Sequence, residues 1–537
     1  MKRSSIPILF LIILVTSFSC KNPSQNFRTI SIDVLKDKIA GGWAGKMIGV
    51  TYGAPTEFRA EAKTFEDSIK WKPSDIIGSI WQDDLYVQLT FLMSMDKYGM
   101  DAPAKKFQEM FAKAGYPLWH ANMQARKNYY DSIFAPASGS PEYNYHADDI
   151  DYQIEADYIG FMNPGMPQNI ITLGNKIGHI MNYGDGVYGG IFVGALYSEA
   201  FFESDIMKII ENALNSIPSE SDYYKIIKDV IKLHQHYPLD WRSAWKEIEA
   251  KWGSVDICGA GDPFNIDAKL NGAYIAIGLL YGEGDPLKTL EITTRCGQDS
   301  DCNPSNALAV LGVIKGFSKL PADMQSGIEA IKDSIFINTN YSFSRASEST
   351  FNYASRLVLE KGGKISGKKM MIKEQKPVPS QLEISFPDVV FDKSISASDR
   401  KAWSAKGLWV SKLYPRKKSE EFHALMGSKA GDELEFTFDG TGVSITGDWV
   451  KDGGKADVFL DGKLHRAIDT YYNFSNQEHT SVSIWHVFHL MPGKHTVKVV
   501  VRGEKRPESD GTNVYISGAL VFKTEPKKNN TFKLSFE

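Results

Sequence analysis

Residues 293–312, TTRCGQDSDCNPSNALAVLG, join an acidic loop to the start of an apolar helical pattern. Asp299 and Asp301 are followed by Asn303 and Pro304, which are typical of an N-cap and of the first turn of a helix. The sequence therefore predicts a loop that carries two carboxylates to the beginning of a helix.

A second acidic pair lies more than two hundred residues earlier. Asp83 and Asp84, in IWQDDLYVQLTFL, also stand where an apolar helical pattern begins. Simple capping is one explanation for each pair, because the helix dipole favours acids at an N-terminus. If the fold brings both pairs together, however, four carboxylates stay ionised only when cations neutralise them. The two pairs together predict a site for divalent metal.

The beginning of the chain predicts export. Lys2 and Arg3 precede an apolar run over residues 6–15, which is shorter than the roughly 20 residues that cross a bilayer as a helix. Residues 1–20 therefore resemble a bacterial lipoprotein signal, with Cys20 at the position that is cleaved and lipidated. We expect a cell-envelope protein whose membrane contact is this anchor, and an ordinary secretory signal is the alternative.

Charge and cysteine content limit the partners. The formal net charge is −4 over 537 residues, which offers no basic face, so nucleic acid is not an expected partner. Beyond the signal only Cys258, Cys296 and Cys302 remain, an odd number without the close CxxC spacing of cysteine-based zinc sites. We expect them to be packing or site thiols.

The hydrophobic pattern divides the chain, which is longer than one core usually fills, into two domains. Apolar residues recur at helical spacing over residues 28–360 and predict an all-α domain. Residues 361–385 are rich in lysine, glycine and proline and predict a linker. Residues 386–525 contain short alternating runs between turn signals, which predict a β-sandwich.

Three stretches of the helical domain carry a resemblance to a known family. They are a glycine-rich helix that leads to Glu57 in GKMIGVTYGAPTEF, the QDDL motif at 82–85, and the GQDSDC motif at 297–302. A glycine-rich loop, NYGDGVYGG, lies between the second and the third. In this order the motifs resemble those of the ADP-ribosylglycohydrolase family, an all-helical fold with a two-magnesium centre.

The resemblance implies roles for particular residues. It implies catalytic roles for Glu57, Asp84 and Asp299, with Glu57 as the best candidate for proton transfer. It implies metal ligands at Gln82, Asp83, Asp84, Asp299 and Asp301. The resemblance implies substrate binding by the glycine-rich loop, at Asp185 and Gly186. Apart from the resemblance, His179 and His146 are candidates near the same cleft for substrate binding or for acid–base work, and we take His179 as a further substrate-binding residue.

The sequence also departs from the family pattern. Gln82 and Cys302 replace threonines, and Val50 replaces an aspartate. A thiol is a poor ligand for magnesium, which prefers oxygen donors. We therefore expect one or two Mg²⁺ ions, with a single Mg²⁺ or Ca²⁺ as the simpler arrangement.

The second domain resembles the galactose-binding-like jelly rolls that are appended to carbohydrate enzymes. Its candidates for exposed sugar contacts are Trp449, Tyr471, Tyr472 and Trp485, and bracing of the active-site cleft is the alternative role. The preferred hypothesis is a metal-dependent glycoside hydrolase that acts on a furanoside or another glycan at the cell envelope. The alternatives are a non-catalytic carbohydrate-binding protein and a genuine ADP-ribosyl hydrolase.

Overall fold

A computed structural model describes residues 26–254, 256–413 and 421–525 of the chain. The predicted export signal and Cys20 lie outside these residues. Within the described ranges, no helix is long and apolar enough to cross a membrane.

The predicted helical domain is helical along its length. Short 3₁₀ helices lie at Ala54–Thr56, Pro73–Trp81, Ala137–Gly139 and Phe317–Lys319. The α-helices in the described part of the chain are α1 Ile32–Gly53, α2 Asp83–Tyr98, α3 Ala104–Lys113, α4 His120–Tyr130, α5 Asp151–Glu155, α6 Asp157–Phe161, α7 Pro167–Gly178, α8 Asp185–Ala200, α9 Ile206–Leu214, α10 Asp222–His236, α11 Trp241–Trp252, α12 Ala268–Gly282, α13 Pro286–Arg295, α14 Cys302–Lys315, α15 Ala322–Ile331 and α16 Phe343–Glu360.

Helices α1 and α14 pack with their backbones in direct contact. A Cβ atom on Gly41 of α1 would overlap the carbonyl oxygen of Gly312 in α14. At the other end of α1, a Cβ atom on Gly53 would overlap the carbonyl oxygen of Ser300 in the acidic loop. The glycines therefore allow α1 to end against that loop, and Glu57 follows four residues later.

The acidic pairs mark helix starts, as the sequence predicts. α2 begins at Asp83, and α14 begins at Cys302 with Asp301 as its N-cap. The predicted N-cap, Asn303, lies instead in the first turn with Pro304. The difference arises because the Asp301 carboxylate accepts the amide hydrogen of Cys302 at 2.9 Å and so caps the helix earlier.

The predicted linker 361–385 is partly a strand pair, which corrects that prediction. β2 Lys364–Ser366 and β3 Lys369–Lys373 form an antiparallel sheet with β1 Phe27–Ser31, in the order β1-β3-β2. Met370 and Ile372 are fully buried and alternate with the more exposed Lys369, Met371 and Lys373. This alternation stabilises a strand although the surrounding composition is that of a flexible linker.

The rest of the predicted linker lies along the helical domain. The amide of Asn169 donates to the Gln375 side chain at 3.2 Å, and the amide of Glu383 donates to the Tyr188 hydroxyl at 2.6 Å. These bonds fix the path of the chain between the two domains.

The described residues of the second domain form two antiparallel sheets, so the predicted β-sandwich is confirmed as a C-terminal multi-sheet β domain, and its jelly-roll identity stays a prediction. In β8 alternate residues are buried, as expected for a strand with one face on a core. The sheet orders are β11-β10-β13-β8-β5 and β12-β9-β14-β7-β6, with β4 paired to β14. The strands are β4 Val389–Ser396, β5 Trp403–Lys406, β6 Val410–Leu413, β7 Phe422–Gly427, β8 Glu433–Gly440, β9 Gly442–Trp449, β10 Lys455–Leu460, β11 Lys463–Asp469, β12 His479–Val487, β13 Gly493–Val501 and β14 Val514–Thr524.

The two domains are in contact around α4 and the loop that follows it. The ring of Phe474 stacks on that of Tyr130 with 3.8 Å between centroids. The His486 ring lies 2.8 Å from the carbonyl oxygen of Pro141. These contacts place the β domain over one face of the helical domain.

The four aromatic side chains predicted as exposed sugar contacts are buried, which corrects that prediction. Each exposes less than a tenth of its surface: Trp449 3%, Tyr471 7%, Tyr472 0% and Trp485 2%. Tyr472 packs edge-on to Phe474, which reaches the helical domain. These rings therefore fill the core and the domain contact, as about half of the aromatic side chains in a sandwich are expected to do.

Candidate functional site

Three carboxylates converge beside the start of α14. One oxygen from each of Glu57, Asp299 and Asp301 lies within 4.8 Å of the other two. The two aspartates are each 3% exposed, whereas Glu57 is accessible to solvent. The group is therefore open on the side of Glu57 and closed behind the aspartates.

The loop after α1 is fastened to the loop before α14. The amide of Phe58 donates to the carbonyl of Gln298 at 3.1 Å, and the amide of Gln298 donates to Ala60 at 2.9 Å. The hydroxyls of Thr56 and Ser300 are 2.8 Å apart. These bonds hold Glu57 near Asp299 although the two residues are far apart in sequence.

The two acidic pairs predicted to meet are neighbours in the structure. Asp84, Asp301 and Cys302 form a second group whose ligand atoms lie within 4.8 Å of one another. The Cys302 thiol donates to Asp84 Oδ2 at 3.0 Å. Asp83 lies beside this group at the first position of α2, with Gln82 as the N-cap. The roles of Asp83 and Gln82 as ligands stay predictions.

Lys46 is a charged residue of this region that sequence reasoning missed. Its ammonium is fully buried, lies 2.7 Å from Asp84 Oδ1 and 3.2 Å from Asp157 Oδ2, and donates to the carbonyl of Ile154 at 2.8 Å. Burial opposes the charge, but the carboxylates of Asp157 and Asp84 outweigh it and raise the pKa of Lys46. A signal was present in the sequence, because Lys46 interrupts a helix face of glycine, alanine and apolar residues.

The side chains around Asp84 and Asp301 determine how many metal ions the site can hold. Glu57, Asp299 and Asp301 offer only carboxylate oxygens, which suit Mg²⁺ or Ca²⁺. Asp84 is already paired with an ammonium, and Cys302 would add a sulfur donor, so the second group is a poor site for Mg²⁺. The residues fit one hard divalent ion and do not fit the pair that the resemblance implies.

The acidic cluster has strongly perturbed proton affinities. Glu57 meets solvent on one side but is otherwise enclosed by protein, and this partial burial together with the carboxylates of Asp301, Asp83 and Asp84 raises its pKa to about 9. Burial and the neighbouring Asp84 and Asp301 raise the pKa of Asp83 to about 8. Burial and Asp301 also raise the pKa of Asp299 well above its usual range. In the absence of a cation, these raised pKa values favour the protonated form of the carboxyl groups in the cluster.

An acidic segment, DDIDYQIEAD at 148–157, also contributes to this region and was missed from sequence. Asp151 accepts the amides of Asn122 and Ala121 at 2.9 and 3.2 Å. Glu155 accepts the Asn122 side chain at 2.5 Å, and the carboxylate of Asp151 helps to raise the pKa of both Asp83 and Glu155. The density of acids within ten residues was the signal that could have identified it.

The predicted substrate residues are engaged by other parts of the chain. His179 lies 2.9 Å from the Glu383 carboxylate, and Asp185 accepts the amide of Tyr223 at 3.2 Å. Gly186 is buried, and a Cβ atom there would lie 2.7 Å from the carbonyl oxygen of Ala147.

Asp185 also lines a cavity of about 40 Å³, together with residues 384–386. Substrate binding by His179, Asp185 and Gly186 stays a prediction.

With this geometry in place, comparison with known proteins gives the family. Residues 31–351 match the model of the ADP-ribosylglycohydrolase family. The chain belongs to this family. Family membership supports an activity of the glycosyl hydrolase type, and ADP-ribosylglycohydrolases are typically metal-dependent. The oxygen donors around Asp301 are in keeping with that dependence.

Several solved structures are similar to parts of the chain. An ADP-ribosylglycohydrolase-related protein complex is 11% identical, covers 60% of this chain and 98% of its own, and has a TM-score of 0.42. A carbohydrate-binding module of a xylanase from the hindgut metagenome of Trinervitermes trinervoides is 16% identical, covers 25% and 98%, and has a TM-score of 0.18. A family 35 carbohydrate-binding module from Clostridium thermocellum is 12% identical, covers 24% of this chain and 98% of its own, and has a TM-score of 0.18. No curated protein sequence matches the chain.

Proposed function

We propose that this family member is a metal-dependent glycoside hydrolase that cleaves an O- or N-glycosidic bond of a furanoside or another glycan. The observation that carries the proposal is the convergence of Glu57, Asp299 and Asp301 within 4.8 Å at an opening to solvent. One Mg²⁺ or Ca²⁺ bound there would supply a Lewis acid and a template for sugar hydroxyls.

The protein side chains would carry out proton transfer and hold the metal ion. Glu57 is the solvent-accessible member of the group and is placed to move a proton to the leaving group or from water. Asp299 and Asp301 would hold the ion. Lys46 and Cys302 fix both oxygens of Asp84, which keeps that carboxylate oriented toward the cluster.

A carbohydrate substrate is supported by the cavity between the domains. The cavity has a volume of about 230 Å³ and is lined by Trp119 and Tyr145 from one domain and by Ser481 and Leu520 from the other. Aromatic faces and hydroxyls are the groups that suit sugar rings. In this proposal the β domain braces the cleft.

A row of rings joins this cavity to the carboxylates. The ring of His120, at the cavity wall, stacks on Phe264 with 5.8 Å between centroids, and Phe264 lies 5.0 Å from Phe58. Phe58 directly follows Glu57. A glycan that occupies the cavity would therefore extend along an apolar surface toward the proposed catalytic carboxyl.

The cell envelope is the proposed location, through a lipid on Cys20. The support is the signal-like sequence of residues 1–20. Replacement Cys20→Ala should move the protein from the membrane fraction to the soluble fraction, and incorporation of labelled palmitate should be lost. Membrane association that is unchanged by this replacement would contradict the anchor.

The activity is tested with chromogenic furanosides, chromogenic pyranosides and an ADP-ribosylated peptide, each with Mg²⁺, Ca²⁺ or chelator. The full chain is compared with the double variant Asp299→Asn, Asp301→Asn and with the exposed control Asp333→Asn. Cleavage of a sugar that is lost with chelator and in the double variant, but kept in the control, supports the proposal. Cleavage of the peptide alone would instead make the protein a genuine ADP-ribosyl hydrolase.

One observation favours a second candidate, a carbohydrate-binding protein without turnover. Lys46 and Cys302 occupy the oxygens of Asp84, so the metal pair implied by the family resemblance does not fit. In that case the variant Asp301→Asn would keep the affinity for a glycan, and no substrate in the panel would be cleaved by the unaltered chain.

A further inference from the structure

A third group of potential metal ligands lies at the cavity wall, apart from the two groups that contain Asp301. It consists of His120 Nδ1, His146 Nδ1, Asp149 Oδ2 and Cys258 Sγ, all within 4.8 Å of one another. Three segments of the chain supply them: the start of α4, the loop before α5, and the loop after α11. Such a convergence of two imidazoles, a thiol and a carboxylate is a set of donors for a borderline metal.

The distances within the group approach those of a tetrahedral site. Cys258 Sγ is 3.0 Å from His146 Nδ1 and 3.8 Å from His120 Nδ1. Asp149 Oδ2 is 2.8 Å from His146 Nδ1 and 3.6 Å from His120 Nδ1. Bond lengths of about 2.0–2.3 Å to a tetrahedral Zn²⁺ separate neighbouring donors by about 3.3–3.6 Å, so these four distances would change by about 0.2–0.6 Å on binding.

The carboxylate of the group is incompletely paired. Asp149 is fully buried, and its Oδ1 has no hydrogen-bond partner among the described residues. A buried carboxylate without full pairing is costly, and a bound cation would remove that cost. This observation is independent of the spacing of the four donors.

The backbone around the donors is firmly held. Both oxygens of Asp256 accept backbone amides, from Cys258 at 2.7 Å and from Ile266 at 2.9 Å. The amide of His146 donates to Asn144 Oδ1 at 2.9 Å. The ligands are therefore carried by loops with fixed geometry, which lowers the cost of ordering them around an ion.

We propose that His120, His146, Asp149 and Cys258 bind one Zn²⁺ ion, in addition to the hard cation of the carboxylate site. Two neutral imidazoles, one thiolate and one carboxylate balance the charge of the ion, and the thiol proton leaves to solvent on binding. Magnesium is excluded by the sulfur and nitrogen donors. With four protein ligands the ion is structural: it ties α4 to the two loops and shapes the cavity wall that faces the β domain.

The test measures zinc on the full chain after removal of metals and reconstitution with Zn²⁺. Mass spectrometry of the metal content and competition with a chromophoric chelator give stoichiometry and affinity. The variants are Cys258→Ala and His120→Asn, and the matched control is Cys296→Ala, a buried thiol outside the group. The double variant Asp299→Asn, Asp301→Asn separates this site from the carboxylates.

The expected result is one tightly bound zinc in the unaltered chain, in Cys296→Ala and in the carboxylate double variant. Loss of an outer-shell partner already weakens metal sites 10–100-fold, so removal of a direct ligand should weaken binding by about a hundredfold or more. In the unaltered chain Co²⁺ should also show thiolate charge-transfer absorption, which Cys258→Ala abolishes.

The Co²⁺ spectrum keeps the test decisive if a variant fails to fold. Zinc affinity that is unchanged in both Cys258→Ala and His120→Asn overturns the proposal. Absence of thiolate absorption in the unaltered Co²⁺ protein overturns it as well. Zinc that is lost only in the carboxylate double variant would show that the ion had bound at the other site.

Discussion

Replacement of Lys46 by methionine tests the electrostatics of the buried cluster. Methionine keeps most of the length of the side chain and removes the ammonium that lies between Asp84 and Asp157. Both carboxylates are fully buried, so neither can compensate by turning to solvent. We expect Lys46→Met to destabilise the helical domain strongly at neutral pH.

The magnitude follows from the two distances. At an effective dielectric constant of about 20, ion pairs at 2.7 and 3.2 Å each contribute roughly 5–6 kcal/mol of Coulomb energy. Removal of the ions from water costs several kcal/mol each and offsets much of this sum. Breaking a buried pair by deletion of one partner typically costs about 3–5 kcal/mol, and we expect a loss in this range.

The assay is urea denaturation of the metal-free protein, followed by far-UV circular dichroism, with Lys106→Met as the control. Lys106 pairs with Glu109 on the surface, so its replacement should leave the free energy of unfolding unchanged. Mg²⁺ adds a second readout, because the freed Asp84 can now accept a cation. At a Mg²⁺ concentration of about a hundred times the dissociation constant, binding at an extra site would raise the free energy of unfolding of the variant by roughly 2.7 kcal/mol.

A small effect would refute this reasoning. If Lys46→Met unfolds within about 1 kcal/mol of the unaltered protein, below the range for a broken buried pair, then the ammonium does not neutralise the cluster. If the variant is destabilised but binds no more Mg²⁺ than the unaltered protein, the Lys46 ammonium does not occupy a position that a metal cation can take. Each readout therefore tests a separate step.

Two further predictions concern the same region. Gly53→Ala places a methyl group against the carbonyl of Ser300, so it should lower the free energy of unfolding by at least about 1–3 kcal/mol and weaken Mg²⁺ binding. The control Gly78→Ala, where Thr51 Cγ2 at 3.7 Å is the nearest neighbour, should change neither the stability nor the Mg²⁺ affinity. Urea denaturation measures the stability, and calorimetric titration measures the Mg²⁺ affinity. Because the pKa values of Glu57 and Asp83 are raised to about 9 and 8, the metal-free native state holds protons that the unfolded chain has released above about pH 5. The stability of the metal-free protein should therefore fall as the pH rises from about 5 to 9. Mg²⁺ should bind with release of protons and with an affinity that increases over the same pH interval, which calorimetric titration in buffers of different ionisation enthalpy would measure. An affinity that does not change with pH would contradict the raised pKa values.

The elements that sequence predicted well are those with local signals. The starts of α2 and α14 follow from acids that precede apolar periodic segments, and the meeting of Asp84 with Asp301 follows from charge balance. The β domain follows from alternation between turn signals. The strands at 364–373 were missed because lysines dominate the composition, although Met370 and Ile372 supply the alternation that a strand requires.

The residues that were missed depend on contacts between distant segments. Lys46 lies on a glycine-rich helix, and nothing in its neighbourhood indicates that it meets Asp157. Cys258 carries no metal-binding spacing of its own, because its partners His120 and His146 are more than a hundred residues away. Only the packing of the helices brings these groups together, so patterns read within a short window do not reveal them.

The sheet β1-β3-β2 joins the two ends of the helical domain. Phe27, at the first strand, is paired with Lys373, which lies beyond the last helix. A fragment cut after residue 360 would leave the backbone of β1 without its partner strand and exposed to pairing with other molecules. The helical domain therefore extends from residue 27 to at least residue 373, and this boundary is set by backbone hydrogen bonds.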